Sequence, residues 1–246
     1  MKQLIQFLVF FFLCVRLAIA EERYFPAQKE VSPAELIAEL NQLASQISTS
    51  PVIAEEYSVF LKQQQLSAVQ LPYLDYVKAR MIFEAARDGG LWHLRWTVTD
   101  LPPDASSIWR QWSDYQGDFS VTANAECDEL SALFAQLLYH LQVKNVGLFW
   151  PTSNHTVAVW TIEKKRIVVP TSQIFLDDQQ TLGTKGFDPY QQKTIYEYRN
   201  LDADDDLRIP VALARYLLRQ IEQNIGKSNA ELQKMRNQQV RIVGGS

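Results

Sequence analysis

Residues 124–138 read NAECDELSALFAQLL, and this stretch decides the fold. Its apolar side chains recur every three or four residues, which predicts an amphipathic helix. Cys127 precedes Leu130 by three residues, so it lies on the apolar face at the start of that helix. Acidic neighbours are typical of a helix N-terminus. The apolar positions are Leu130, Leu133, Phe134, Leu137, Leu138 and Leu141.

Three short strands are predicted after this helix. Residues 146–150, 155–162 and 166–169 are rich in β-branched and aromatic side chains, and a polar turn at 163–165 joins the last two. Strands joined by short turns pair antiparallel. An antiparallel meander against the Cys-bearing helix is therefore expected.

The chain before the helix is predicted to be mostly helical. Ser32, Pro33 and Glu35 form a capping-box sequence with proline at the first helical position, and helices are expected across 32–88. Apolar alternation over 91–98 predicts a half-buried strand. A further strand is predicted at 194–198, then a long helix at 210–225 and a polar tail at 227–246. The predicted class is α+β, with one domain over 21–226 whose core spans about 91–200.

Residues 1–20 have the features of a secretory signal peptide. Lys2 precedes an apolar run, and Ala18 and Ala20 supply the small residues of a cleavage site. The run is about twelve residues long, shorter than the roughly twenty that span a bilayer. Export to the periplasm or medium is expected, without a membrane span after cleavage. An uncleaved anchor, suggested by Arg16, is the alternative.

The mature chain is expected to be acidic and to hold one cysteine. Cleavage removes Lys2 and Arg16 but no acid, leaving 22 basic and 28 acidic residues and a net charge of −6. Nucleic acid is therefore not an expected partner. Cys14 also leaves, so Cys127 is a lone thiol where thiols usually pair. It is either a buried, inert small hydrophobe or a nucleophile.

Three histidines are candidate partners for Cys127. His140 is thirteen residues further along the helix, about 20 Å away. His93 shares the polar face of its strand and is expected to face solvent. His155 is different, because the helix carries the chain away and the next strand brings it back. A thiol and an imidazole are predicted to meet, with an orienting group from the end of the third strand.

The order of these residues resembles a known family. A helix-borne Cys in NAECDELSALFAQLL, a strand, the His of NHTVAVW and a strand ending in VVPTSQ are similar to the transglutaminase-like branch of the papain-like cysteine enzymes. The resemblance covers about 122–175. It implies that Cys127 attacks an amide carbonyl and that His155 acts as base and acid. The family's Asp is replaced by Val169, so Thr171 or Gln173 is implied as the orienting residue.

The resemblance implies an exported peptidase or amidohydrolase, with amide transfer less favoured because water is the default acceptor. The implied partners are peptides, proteins or cell-wall amides, without a cofactor or metal. The alternative is a binding or scaffold module that keeps the fold while Cys127 is merely buried. In that case Trp109 and Trp112 are candidates to line a cleft for a peptide or glycan.

An acidic loop near the C-terminal helix superficially suggests a calcium site at Asp202, Asp204 and Asp206. Leu207 and Leu213 occupy the positions where the tight-turn glycine and the bidentate acid are needed, which predicts a solvated loop instead.

Overall fold

The computed structural model describes residues 23–98, 104–152, 155–172, 182–183, 187–197 and 206–243. The predicted signal peptide lies outside these residues. Within them the chain is a mixed α+β protein, as its sequence predicts. The helices are α1 (Pro33–Ile47), α2 (Pro51–Gln64), α3 (Tyr73–Ala86), α4 (Ser106–Ser113), α5 (Cys127–His140), α6 (Val211–Asn224) and α7 (Asn229–Val243). The strands are β1 (Glu30–Val31), β2 (Leu94–Trp96), β3 (Ala123–Ala125), β4 (Val146–Thr152), β5 (His155–Ile162), β6 (Lys165–Val169), β7 (Tyr196–Glu197) and β8 (Ile209–Pro210).

The N-terminal helices form one wall of the core. The capping box predicted at the start of α1 is confirmed, because the Ser32 hydroxyl accepts the Glu35 N–H and the Glu35 carboxylate accepts the Ser32 N–H. Helix α3 is buried at every position from Tyr76 to Ala86. It packs against α1, α5 and α6, so it is the central helix of the molecule.

The main sheet has the strand order β6-β5-β4-β7, and its described pairs are all antiparallel. The predicted meander is therefore confirmed. Alternate residues of β5 face opposite sides. Ala158 and Trp160 join the main core with α5, whereas Val157 and Val159 pack with Phe149 in a second apolar cluster. The sheet thus separates two apolar layers.

The strand predicted at 91–98 is shorter than expected. Only Leu94–Trp96 pair, and they run parallel to β3. Leu91 and Trp92 instead donate their N–H groups to carbonyls at the end of α3, and His93 has φ 54°. The first three residues of the predicted strand therefore belong to the turn after α3.

The two tryptophans expected to line a cleft are buried core residues. Trp109 and Trp112 stack edge-to-face at 5.0 Å, and Trp112 meets Trp92 in the same way at 5.4 Å. Trp109 also donates its indole N–H to Gln136 at 2.5 Å. Their exposed fractions are at most 2%. The cleft prediction was wrong because tertiary packing, invisible in the local sequence, covers both rings.

The C-terminal region is more ordered than the sequence suggests. The helix predicted at 210–225 is confirmed as α6. The polar tail predicted at 227–246 instead contains α7, whose first turn is capped by mutual hydrogen bonds between Ser228 and Glu231. Leu232 and Arg236 are buried, and Arg236 pairs with Glu84 of α3. The packed unit therefore extends past residue 226.

None of the described helices combines the length and the apolar character that crossing a membrane requires. Asp202 and Asp204 of the acidic loop lie outside the described residues.

Candidate active site

Cys127 occupies the first position of α5. The preceding strand β3 is held by β2, and the chain leaves it through Glu126, whose backbone is extended. The Glu126 side chain accepts the N–H of Glu129, and the Glu129 carboxylate accepts the Glu126 N–H at 2.5 Å. This capping box fixes the start of the helix and therefore the position of the thiol.

The thiol lies against the start of β5. Cys127 is 7% exposed, and its Sγ accepts a hydrogen bond from the Thr156 N–H at 3.5 Å. Because Thr156 follows His155 directly, standard peptide dimensions place the His155 Cα within about 6 Å of Sγ. The helix and strand lengths therefore bring the two predicted residues together through the backbone.

Ser131 connects the three elements around the thiol. Its Oγ lies 2.6 Å from the Cys127 carbonyl oxygen, 3.4 Å from the Thr156 carbonyl oxygen and 2.7 Å from Thr171 Oγ1. All four residues are buried. We call these four residues, Cys127, Ser131, Thr156 and Thr171, the Ser131 cluster. It joins the first turn of α5 to β5 and to the end of β6.

His155 is buried at the first position of β5, with 3% of its surface exposed. Strand alternation places it on the side of Val157, and its ring centroid lies 5.5 Å from that of Phe187. The side of Ala158 and Trp160 contacts α5. The backbone of β5 joins His155 to the thiol, whereas pairing between the imidazole and Sγ stays a prediction.

Burial is the main cause of the pKa shifts of Cys127 and His155. It raises the pKa of the Cys127 thiol, the Thr156 N–H opposes that rise, and the Asp128 carboxylate adds to it. Burial also lowers the pKa of the His155 imidazole. At neutral pH the resting site therefore holds a protonated thiol and an uncharged imidazole, which is the form able to accept a proton.

Of the two residues predicted to orient His155, only Thr171 lies among the described residues. Thr171 belongs to the Ser131 cluster, and its carbonyl oxygen accepts the Asp88 N–H at 2.8 Å. Its hydroxyl thus lies beside the thiol-bearing turn, while its role as orienter of His155 stays a prediction. Gln173 lies outside the described residues.

Two site residues escaped the sequence analysis, Ser131 and Thr156. Ser131 is the polar residue one turn after Cys127 on an otherwise apolar face, and this is the signal that identifies it. Thr156 acts through its backbone N–H, which no side-chain pattern reveals.

The other two histidines occupy different surroundings. His140 is the last residue of α5, at the opposite end from the thiol, as its spacing predicts. His93 was expected to face solvent, but it is half-buried, with Nδ1 2.8 Å from the Phe119 carbonyl oxygen and 2.9 Å from the Tyr216 hydroxyl. His93 belongs to the turn after α3, where its φ is positive, and its ring lies against Tyr216 of α6 and not on the polar face of a strand.

The described residues contain no group of three or more His, Cys, Asp or Glu side chains placed to hold a metal ion. Fold and site together define an α+β protein with a buried thiol at a helix N-terminus, next to a histidine-bearing strand. No family model, curated protein or solved structure matches the chain.

Proposed function

We propose that the protein is an exported cysteine enzyme of the transglutaminase-like kind, which attacks amide carbonyls through Cys127 and releases products by hydrolysis. The observation that carries this proposal is the hydrogen bond from the Thr156 N–H to Cys127 Sγ, which sets the residue after His155 against the thiol. The proposed pairing requires the imidazole to turn from the Phe187 side of β5 toward α5, over a distance of about 6 Å or less between the His155 Cα and Sγ.

The protonation states support general-base chemistry. His155 accepts the thiol proton as Sγ bonds to the carbonyl carbon, and the carbonyl oxygen takes the negative charge. The C–N bond then breaks, and the imidazolium gives its proton to the leaving amine. Water attacks the thioester, again losing a proton to the imidazole, and the C–S bond breaks to restore the thiol. The backbone N–H groups of Cys127 and Asp128 lower the pKa of the thiol and lie at the positive end of α5, where they stabilise the oxyanion.

The test is acyl-enzyme formation with defined amides. Purified protein lacking the leader is incubated with glutamine-containing peptides and with a cell-wall muropeptide mixture, and both cleavage and the intact protein mass are followed. We expect cleavage together with a covalent adduct on Cys127. Cys127→Ala should abolish both, and His155→Ala should slow cleavage on the order of 100-fold. His140→Ala, the matched control, should match wild type, and cleavage that persists in Cys127→Ala rules the proposal out.

A second candidate function is a noncatalytic binding or scaffold module. The observations favouring it are the burial that raises the Cys127 pKa and the contact of the His155 ring with Phe187. A module of this kind predicts no adduct on Cys127 with any amide, and equal thiol reactivity in wild type and His155→Ala.

Export is part of the proposal and rests on the leader-like residues 1–20. Sequencing the N-terminus of protein recovered from outside the cytoplasm tests it. We expect Glu21 as the first residue, and a chain that retains Met1 in that fraction contradicts cleavage.

A further inference from the structure

We infer that the edge of β3 that faces away from β2 is a binding site for an extended peptide. In the complex Asn124 pairs with the main chain of the peptide. In the unbound protein the Gln111 side chain occupies the place of the peptide. The bound peptide is the substrate class of the proposed enzyme, so its role as a substrate rests on the proposed function. Peptide binding itself is measurable without any chemistry at Cys127.

The backbone hydrogen-bonding groups of β3 alternate between its two edges. In a parallel pair, alternate residues direct both their N–H and C=O groups to the neighbouring strand. The Ala125 carbonyl oxygen accepts the Thr97 N–H at 3.0 Å, on the side of β2. Asn124, paired in register with Arg95, therefore directs its own N–H and C=O to the opposite side. No strand of the described part of the chain pairs with β3 on that side, so it is the kind of edge that accepts an added strand.

The side chain of Gln111 occupies this edge in the unbound protein. Gln111 of α4 donates its side-chain N–H to the Asn124 carbonyl oxygen at 2.8 Å and accepts the Asn124 N–H at 2.9 Å. One side-chain amide thus makes both hydrogen bonds that a residue of an adjoining strand makes. Both bonds are exposed to solvent, and Asn124 itself is exposed. A peptide main chain can therefore replace Gln111 with the same donor and acceptor.

The edge has open space beside it and lies close to Cys127 in the chain. A groove of about 500 Å³ lies along this edge, within the range of roughly 300–1,000 Å³ found for ligand pockets. It is lined by Arg110, Gln111, Asp114, Tyr115, Gly117 and Asn124, among others. Asn124 precedes Cys127 by three residues, which span at most about 11 Å. A peptide paired at Asn124 therefore lies next to a residue whose Cα is within about 11 Å of the Cys127 Cα.

The experiment uses Cys127→Ala protein, so that binding is separated from chemistry. The probe is the blocked, strand-favouring peptide acetyl-Lys-Thr-Val-Thr-Val-Thr-Lys-amide, titrated into isotope-labelled protein. We expect saturable shifts of the Asn124 amide and Gln111 side-chain resonances. An analogue methylated on the three central backbone nitrogens should produce neither, because it lacks the main-chain donors.

A second experiment removes the side-chain amide that occupies the edge of β3. Gln111→Ala removes the competing amide, so the peptide should bind more tightly by a factor on the order of three to ten. Gln63→Ala, on an exposed face of α2, should bind as the parent protein does. If the methylated analogue binds as well as the unmodified peptide, or if the Asn124 amide does not shift in protein that carries Gln111, the inference is overturned.

The two proposals fail separately. Peptide binding without adduct formation in the wild-type protein retains the edge site and removes the enzyme. Adduct formation without a shift at Asn124 retains the enzyme and removes the edge site.

Discussion

Ser131 links the thiol-bearing turn of α5 to β5 and to the end of β6. Its hydroxyl is shared among the Cys127 carbonyl oxygen, the Thr156 carbonyl oxygen and the Thr171 hydroxyl. A hydroxyl has one proton to donate and lone pairs to accept, so Ser131 can donate to a carbonyl while Thr171 donates to it. This geometry makes Ser131 a positioning residue for the site.

We predict that Ser131→Ala destabilises the protein by about 1–3 kcal/mol, because a buried hydroxyl partner of Thr171 is lost. The free energy of unfolding is measured by urea denaturation. The matched control is Ser45→Ala on the exposed face of α1, where the hydroxyl also bonds the carbonyl four residues earlier, at 3.3 Å. That change should cost less than about 0.5 kcal/mol. Equal losses in the two variants would contradict the importance of the Ser131 cluster.

At the scale of elements, α7 is docked onto α3 by a buried ion pair. Arg236 binds Glu84, with side chains 5% and 2% exposed. Glu84 also faces Arg87, whose pKa burial lowers to about 10 while the Glu84 carboxylate opposes that shift. One carboxylate therefore compensates two buried guanidinium groups. Removing it leaves buried positive charge without that compensation.

Glu84→Gln should lower the free energy of unfolding by about 3–5 kcal/mol, as expected when one partner of a buried ion pair is removed. Glu222→Gln is the control, since Glu222 pairs with Arg23 at the surface, where both side chains are about a third exposed or more. There we expect a loss of at most about 1 kcal/mol. Thermal and urea unfolding measure both variants, and a Glu84→Gln protein as stable as its control would show that α7 is held mainly by apolar contacts.

Elements with a strong local pattern were predictable, and elements made by distant pairing were not. The periodicity of α1, α5 and α6 and the turns of the meander are properties of short windows, which is why these elements were found. The parallel pairing of β2 with β3 and the pairing of β1 with β8 join segments far apart in the chain. Helix α7 was not predicted because its sequence is mostly polar. One of its buried residues is Arg236, which a search for apolar periodicity does not detect.

In the candidate site, too, local features were predictable from the sequence and features that depend on distant contacts were not. Helix and strand lengths were enough to bring Cys127 to the start of β5. The side that the His155 ring faces depends on strand alternation and on Phe187, which comes from a distant segment. The Ser131–Thr171 contact depends on side-chain packing between α5 and the end of β6.

At the scale of the whole molecule, the two ends of the described chain are tied together. Strand β1 pairs with β8, and Arg215 of α6 donates to the carbonyl oxygens of Tyr24 and Phe25, both at 2.8 Å. Trp92 donates its indole N–H to the Leu217 carbonyl oxygen at 3.0 Å. The C-terminal helices therefore pack into the same core as the N-terminal helices and the sheet.

We predict that the protein unfolds as one cooperative unit. All six tryptophans fall between residues 92 and 160, so tryptophan fluorescence reports on the centre of the chain. Far-UV circular dichroism also reports on the terminal helices. The two urea transitions should coincide, as they do for a two-state domain. Two separated midpoints would contradict a single core.

The pairing of Cys127 with His155 is the central claim, and its most direct test is the pH dependence of Cys127 alkylation by iodoacetamide. Because burial lowers the His155 pKa, the imidazole is neutral above about pH 6.5, the ordinary value for histidine. Because burial raises the Cys127 pKa, the thiol stays mainly protonated up to at least about pH 8.5, the ordinary value for cysteine. Between these limits general-base assistance by His155 makes the rate independent of pH.

We expect a rate plateau across that window in wild type and in His140→Ala. In His155→Ala the rate should instead rise tenfold per pH unit with the thiolate fraction, and it should be on the order of 100-fold slower than wild type at pH 7. If wild type and His155→Ala follow the same tenfold rise, His155 does not act on the thiol, and the protein is a noncatalytic module with a buried cysteine.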